Sequence, residues 1–180
     1  MTSQQGISLL EVLIVIAILG ILAAIAAPNY RDMIERQRLK QALESLKADM
    51  QFARTEALKR SQNIVVSRRA GGNGTWCYGL AVNRPGKTSC DCTQTDEAAA
   101  NFCEIKRVLG SDMLHTTLEA AAVNNNTFNF RRGTISAGGV TFSSEHYAGR
   151  VVFSDVGRVR VCIPTSMPAG KQALPGYTQC

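Results

Sequence analysis

Residues 6–27 read GISLLEVLIVIAILGILAAIAA, and this apolar stretch decides how the rest of the chain is organised. From Ile7 to Ala27 it provides about the ~20 residues that a helix needs to cross a bilayer. A secretory signal peptide has a basic start and a shorter apolar stretch. Here the preceding MTSQQG contains no Lys or Arg, and helical patterning continues beyond the stretch. The sequence therefore predicts a retained transmembrane helix over residues 7–27.

Glu11 is an ionisable residue a few positions inside this predicted span. A carboxylate at that depth is costly and usually has a partner or a function. The simpler alternative is that Glu11 lies near enough to the interface to reach water. Cleavage after Gly6 would supply a cationic partner at the same depth, the new α-amino group of Ile7 on a neighbouring copy. We therefore predict cleavage between Gly6 and Ile7, which makes Glu11 the fifth residue of the mature chain.

Beyond residue 28 the sequence becomes polar but keeps an apolar stripe at helical spacing. The stripe consists of Leu39, Leu43, Leu46, Met50, Ala53 and Ala57. One helix over residues 7–61, bent near Pro28, accounts for both the apolar stretch and the stripe. We expect the second half of this helix to bury the stripe against a C-terminal domain.

From residue 62 onward, β-branched and aromatic runs alternate with Gly, Asn, Pro or Asp, which predicts strands. The runs cover residues 64–67, 76–82, 103–108, 127–130, 140–142, 150–153 and 158–163. Short helical turns are expected at 96–100 and 118–123. A long helix followed by consecutive strands predicts an α+β fold, with the helix packed on an antiparallel β-sheet domain formed by residues 62–180.

The charge and the cysteines of the chain indicate what kind of partner and compartment suit that domain. The net charge of +6 and pI near 9.2 are compatible with an anionic partner such as DNA or a membrane surface, without identifying one. Six cysteines, all after the apolar stretch, favour disulfides in an oxidising compartment. They are Cys77, Cys90, Cys92, Cys103, Cys162 and Cys180. Zinc is the weaker alternative, because no C-x-x-C occurs and His115 and His146 lack the spacing of metal ligands.

The stretch from Gly6 to Ile14, GISLLEVLI, resembles the type IV prepilin cleavage motif, in which Gly precedes an apolar first residue and Glu is fifth. Pilins also commonly carry a proline at mature position 22, which corresponds to Pro28. The resemblance implies a cleaved leader over residues 1–6, N-methylation by a prepilin peptidase and assembly with other pilins through the N-terminal helix. It further implies a single-pass bacterial inner-membrane protein with a periplasmic C-terminal domain, later built into a cell-surface pilus.

Three further stretches resemble the pilin subgroup known as the GspH/FimT/FimU family. Residues 53–57, ARTEA, resemble its A-R-[ST]-E-A signature, and residues 128–133, FNFRRG, resemble its segment in which a Phe is followed by a Gly. Residues 154–160, SDVGRVR, resemble its terminal S-x-x-G-R-x-R hairpin. The resemblance implies the type IV pilin fold, a long N-terminal helix packed on an antiparallel sheet domain.

The last of these stretches predicts a terminal β-hairpin, with Ser154 to Gly157 as its tight turn. Because side chains alternate along a strand, Val159 and Val161 should face the core. Arg158 and Arg160 should then stand on the open face about 6.6 Å apart, a spacing suited to successive phosphates of one nucleic-acid strand. The alternative is a solvated strand face whose charges discourage edge-to-edge association.

In FimT-like proteins this signature is associated with DNA capture for natural transformation. The resemblance therefore implies a minor type IV pilin that binds DNA without sequence specificity through Arg158 and Arg160, and we expect Lys171 to contribute to the same DNA-binding surface. Other cations that are candidates to extend the surface are Arg68, Arg69, Arg131, Arg132 and Arg150. Two alternative functions are a structural minor pilin that primes or caps pilus assembly, and a type II secretion minor pseudopilin.

Enzymatic chemistry is not expected from this sequence. The stretch GGNG at residues 71–74 lacks the Lys-Ser/Thr of a phosphate-binding loop and is typical of a hairpin turn. Two histidines without a recognisable nucleophile motif do not indicate a hydrolytic triad. We therefore predict no catalytic residues, no cofactor and no metal site.

The resemblance also implies a Cys162–Cys180 disulfide, because pilins often close a C-terminal loop in this way. That bond would hold the tail from Pro164 to Gln179, including Lys171, beside the two arginines. Cys90 and Cys92 are too close in sequence to pair comfortably with each other. Two pairings of the other four cysteines remain open: Cys77–Cys90 with Cys92–Cys103, or Cys77–Cys92 with Cys90–Cys103.

Overall fold

The structure, a computed structural model, describes residues 8–120 and 124–180; the side chains of residues 25–29 are not described. One helix, α1, extends from Leu9 to Arg60. The chain divides into two compact units, Met1–Ile34 and Glu35–Cys180. The predicted leader over residues 1–6 and the predicted first mature residue, Ile7, lie outside the described residues.

The first unit contains the apolar part of α1. Its large apolar side chains are exposed, for example Leu9, Ile16 and Leu22, and Glu11 is exposed among them. Over the described part of the chain, none of the helices has both the length and the apolar character that a membrane crossing requires. The predicted span over residues 7–27 includes Ile7 and the side chains of residues 25–27, which are not described.

The second unit contains the end of α1 and two sheets. In chain order the described strands are β1 Ile64–Arg69, β2 Cys77–Val82, β3 Lys106–Leu109, β4 Thr117–Leu118, β5 Asn125–Phe128, β6 Gly138–Ser143, β7 Tyr147–Phe153, β8 Val159–Cys162 and β9 Gln172–Ala173. The first sheet has the order β3-β2-β1-β5, and the second has the order β4-β6-β7-β8 with β9 also paired to β7. Every pair is antiparallel except β7 with β9, which is parallel.

Each predicted run of strand residues contains or overlaps an observed strand, with ends shifted by a few residues. The two predicted helical turns are wrong where the structure describes them. Residues 96–100 form turns without a helix, closed by a hydrogen bond from the Ala99 amide to the Asp96 carbonyl. Thr117 and Leu118 form β4, because they pair with Ser143 and Phe142 of β6. The end of that predicted turn, residues 121–123, lies outside the described residues.

The apolar stripe of α1 forms the centre of the core, as its spacing predicts. All six of its residues are fully buried. Contact with the second sheet is close, since a Cβ added to Gly149 of β7 would lie 2.5 Å from Cδ1 of Leu43. The stripe also packs in one apolar cluster with Ile64, Val66 and Leu80 of the first sheet. Two hydrogen bonds add to that contact: Tyr78 Oη donates to Asp49 Oδ2 over 2.8 Å, and Lys106 Nζ donates to Asp49 Oδ1 over 2.5 Å. These bonds compensate the buried carboxylate of Asp49.

The six cysteines form three disulfides, Cys77–Cys92, Cys90–Cys103 and Cys162–Cys180. The first two decide between the pairings that the spacing leaves open. Together they fasten the long connection between β2 and β3 onto the first sheet, where four cysteines pack with Val65 and Ala81. Gly79 makes room for this packing, because a Cβ there would lie 2.3 Å from the sulfur of Cys103.

Candidate nucleic-acid interface

The predicted terminal hairpin is formed by β7 and β8. Val152 is paired with Arg160 and Phe153 with Val159. The turn is closed by two bonds: the Gly157 amide donates to the Ser154 carbonyl over 2.8 Å, and the Ser154 amide donates to the Arg158 carbonyl over 3.0 Å. Val159 is buried, as expected for a core-facing side chain, and Arg158 and Arg160 are exposed.

The hairpin turn is held by a contact among three distant segments. A Cβ added to Gly157 would lie 2.4 Å from the Gly133 carbonyl oxygen and 3.1 Å from Nε of Arg54. Gly133 is also closely packed, since a Cβ there would lie 2.8 Å from the same Nε. Both glycines have positive φ angles, 61° for Gly133 and 76° for Gly157. The ARTEA, FNFRRG and SDVGRVR stretches therefore meet at one point.

The role of Arg54 in this contact could not be predicted from the spacing of residues in the sequence. It is half-buried on the last turns of α1 and its guanidinium covers both glycines. Its position in the ARTEA stretch is the one available sign of the role. Because Arg54 touches both turns, it fixes how the hairpin turn lies against residues 129–133.

Exposed arginines flank this contact on both sides. Arg158 and Arg160 follow Gly157, and Arg131 and Arg132 precede Gly133. The guanidinium carbon of Arg131 lies 5.5 Å from the ring centroid of Phe130, and Arg160 Nη2 donates to the Cys180 carbonyl over 2.8 Å. The segments that carry the two pairs of arginines meet at Gly133 and Gly157, although β6 and β7 separate them in sequence.

Arg150 belongs to the same outer face of the second sheet as Arg160. It is paired with Cys162, and Val152 is paired with Arg160, so the two arginines are diagonal neighbours. Diagonal positions of this kind place side chains about 7–8 Å apart. Arg150 Nη1 donates to Thr141 Oγ1 over 3.1 Å on the neighbouring strand. Cys162 lies on this face too, but it is buried in its bond to Cys180.

Lys171 is not beside the arginines, and that prediction is wrong. The next residue, Gln172, pairs with Tyr147 at the start of β7, whereas Arg160 pairs with Val152 near its end. Lys171 is therefore about 20 Å along β7 from Arg160, at a rise of about 3.3 Å per residue. The tail reaches this position because β9 extends along the same edge of β7 as β8. Lys171 Nζ donates to the Glu145 carbonyl there over 2.9 Å.

Two further cations do not join the arginine surface. Arg68 is only 6% exposed, contacts Asn126 Oδ1 and lies 5.8 Å from the Phe153 ring centroid. Burial lowers the pKa of its guanidinium to about 10, so the group remains charged at neutral pH. Arg69 is exposed at the far end of β1, where it pairs with Cys77. Within residues 8–120 and 124–180, no cluster of His, Cys, Asp and Glu is arranged to hold a metal ion.

A long helix whose buried stripe packs on antiparallel sheets defines the class of type IV pilin-like proteins. The fold is similar to the crystal structure of the type IV minor pilin FimU of Pseudomonas aeruginosa, with a TM-score of 0.52. That similarity covers 77% of this chain and 95% of the other at 21% identity, and it concerns the fold alone. Residues 42–163 match the family described as type II transport protein GspH, and residues 1–27 match the prokaryotic N-terminal methylation motif. The chain belongs to the GspH family of type IV pilin-like proteins.

Curated relatives match over shorter segments. A fimbrial protein of Pseudomonas aeruginosa is 40% identical over 67 residues, which is 37% of this chain and 43% of that protein. A fimbrial protein of Moraxella nonliquefaciens is 55% identical over 42 residues, which is 23% of this chain and 27% of that protein. The chain thus spans less than half the length of these relatives.

Proposed function

We propose that this protein is a minor type IV pilin that binds DNA without sequence specificity through Arg158 and Arg160, for DNA uptake in natural transformation. One observation carries the proposal: both arginines are exposed beside a turn that Arg54, Gly133 and Gly157 hold in place. Arg131 and Arg132 add positive charge beside the same turn, and Arg150 adds it farther along β7, on the same outer face as Arg160. A fixed cluster of guanidinium groups suits the phosphate backbone, because each group offers a planar fork of donors and keeps its charge.

The binding mode follows from the side chains around the arginines. Val159, between Arg158 and Arg160, faces the core, so no aromatic ring stands between them for base stacking. Binding then depends on the phosphates and on the release of counterions, which makes affinity fall steeply as salt rises. The carboxylate of Asp155, in the same turn, has a structural role, since its Oδ1 accepts a hydrogen bond from the Ala137 amide over 2.8 Å.

The N-terminal part of the proposal concerns anchoring and assembly. The match to the N-terminal methylation motif supports cleavage between Gly6 and Ile7 by a prepilin peptidase, followed by N-methylation. The mature helix anchors the protein in the bacterial inner membrane with its C-terminal domain in the periplasm. It later packs with other pilins in a surface pilus, where Glu11 pairs with the α-amino group of a neighbour. Three disulfides suit the oxidising periplasm.

A second candidate is a structural, non-enzymatic subunit that primes or caps pilus assembly, or a minor pseudopilin of type II secretion. The match to the family described as type II transport protein GspH favours it. In that role the exposed arginines contact another subunit of the filament rather than DNA.

One experiment in cells separates the two candidates. The double substitution Arg158→Ala and Arg160→Ala is introduced into the natural gene, and surface pili and transformation frequency are both measured. The DNA-binding proposal predicts normal pili and a large loss of transformation. Loss of pili would instead assign the arginines to a subunit contact. Lys171→Ala is the matched control, because it removes a cation that lies about 20 Å from Arg160, measured along β7.

A further inference from the structure

A cleft of about 590 Å³ lies between the first and the second sheet. One wall is formed by residues 125–127 of β5, the edge strand of the first sheet. The other wall is formed by residues 136–139 and by Thr141, from the start of β6 and the residues just before it. Among the described residues, β4 pairs with Phe142 and Ser143 of β6, and the Glu119 amide donates to the Thr141 carbonyl over 3.0 Å. Gly138 and Gly139, at the start of β6, line the cleft opposite β5.

The chemistry of the cleft favours an anion. Two arginines, Arg68 and Arg150, line it, and its described lining residues include no Asp or Glu. The remaining polar lining groups are hydroxyls and amides that can donate hydrogen bonds to oxygen, from Asn125, Asn126, Thr127, Ser136 and Thr141.

Arg150 reaches the cleft because β6 has a glycine beside it. A Cβ added to Gly139 would lie 2.5 Å from Nε of Arg150, so the guanidinium crosses directly over the Gly139 backbone. The hydrogen bond from Arg150 to Thr141 Oγ1 directs the guanidinium group towards β6, which borders the cleft. On the opposite face of β6, the Gly138 Cβ position lies 2.9 Å from the Phe153 ring, which packs against Arg68.

The cleft is continuous with the arginine surface through one residue. Arg150 lines the cleft and is also the diagonal neighbour of Arg160 on the outer face of β7 and β8. Because diagonal neighbours on paired strands lie about 7–8 Å apart, a nucleic-acid strand held by Arg158 and Arg160 would also come within reach of Arg150. The surrounding donors offer a phosphate several hydrogen bonds beyond the charge of Arg150.

We propose that the cleft between β5 and β6 binds a phosphate group of the DNA that Arg158 and Arg160 hold, with Arg150 contacting both regions. This inference rests on the proposed function. It extends the bound length of DNA from the hairpin turn across the sheet to the cleft. It also assigns Arg150 a direct phosphate contact.

The test uses the full chain in detergent, titrated with a fluorescein-labelled 30-base-pair DNA at several salt concentrations. Arg150→Gln should weaken binding several-fold and reduce the slope of log affinity against log salt by about one, the loss of one phosphate contact. Arg150→Lys retains the charge and should recover most of the slope. Lys171→Ala should leave both affinity and slope unchanged. Fluorescence of the single tryptophan, Trp76, which is buried, checks that each variant is folded.

The outcomes separate this inference from the proposed function. If the unmodified chain binds no DNA at low salt, the proposed function fails. If it binds, and Arg158→Ala with Arg160→Ala weakens binding while Arg150→Gln leaves the slope unchanged, the cleft is not a phosphate site. Equal losses for Arg150→Gln and Arg150→Lys would attribute the effect to packing and would also overturn the inference.

Discussion

Substitution of Gly157 by Ala tests the contact that positions the arginine turn. The new methyl group would lie 2.4 Å from the Gly133 carbonyl oxygen, so the turn or residues 129–133 must move. Two costs add: about 1–2 kcal/mol for a non-glycine residue in the left-handed region, and about 1–3 kcal/mol for overpacking a closely fitted site. We therefore expect a loss of about 2–5 kcal/mol in the free energy of unfolding.

Gly170→Ala is the matched control for this substitution. Gly170 has nearly the same φ, 73° against 76°, but nothing lies within 4 Å of its Cβ position. It should therefore show only the backbone cost, about 1–2 kcal/mol.

Thermal unfolding followed by the fluorescence of Trp76 measures both effects in the full chain. At roughly 2–4 °C per kcal/mol for a domain of this size, Gly157→Ala should lower Tm by several degrees more than Gly170→Ala. Equal shifts for the two variants would show that Gly133 and Gly157 are not in close contact. The proposed fixed placement of Arg158 would then lose its basis.

Three further predictions concern processing, redox state and pH. Mass spectrometry of the protein from cells with an active prepilin peptidase should show a chain that begins at Ile7, and an intact Met1 start would contradict this. The Glu11→Ala variant should insert into membranes normally but fail to enter filaments, and its normal incorporation into filaments would contradict the proposed role of Glu11. Peptide mapping without reduction should find Cys77–Cys92, Cys90–Cys103 and Cys162–Cys180 and no free thiol, whereas a Cys77–Cys90 peptide would refute the pairing. Burial raises the pKa of Glu35, but hydrogen bonds from Ser144 and His146 outweigh it and hold that pKa below its ordinary 4.5. The Glu35 carboxylate thus stabilises the fold at pH values above its pKa in the unfolded chain, and this stabilisation is lost as pH falls through its lower pKa in the folded chain. Glu35→Gln should therefore flatten the acid side of a profile of unfolding free energy measured from pH 6 to pH 3. An unchanged profile would contradict the hydrogen bonds from Ser144 and His146 to Glu35.

Periodicity in the sequence was sufficient to predict the elements that depend on local alternation. The stripe from Leu39 to Ala57 predicts the buried face of α1, and the alternation around Val159 predicts the hairpin of β7 and β8. Both patterns are strong because each buried face needs apolar side chains at a fixed spacing. The two-residue strands β4 and β9 are too short to carry such a pattern, so the sequence does not reveal them.

The features that the sequence did not predict depend mostly on contacts between segments that are distant in sequence. The pairing of Cys77 with Cys92 depends on how the connection between β2 and β3 crosses the sheet, which spacing does not encode. Lys171 is displaced from the arginines because β9 pairs with the start of β7, a register that only the folded tail reveals. The meeting of Arg54 with Gly133 and Gly157 is likewise a tertiary contact.

The most direct test of the central claim is the salt dependence of DNA binding by the full chain and by its Arg158→Ala, Arg160→Ala variant. The account predicts that the unmodified chain binds DNA of unrelated sequences about equally at low salt. It also predicts that the double substitution reduces the slope of log affinity against log salt by roughly one to two, with little change in stability. Absence of binding by the unmodified chain at low salt, or an unchanged slope in the variant, would contradict the claim that these arginines bind DNA.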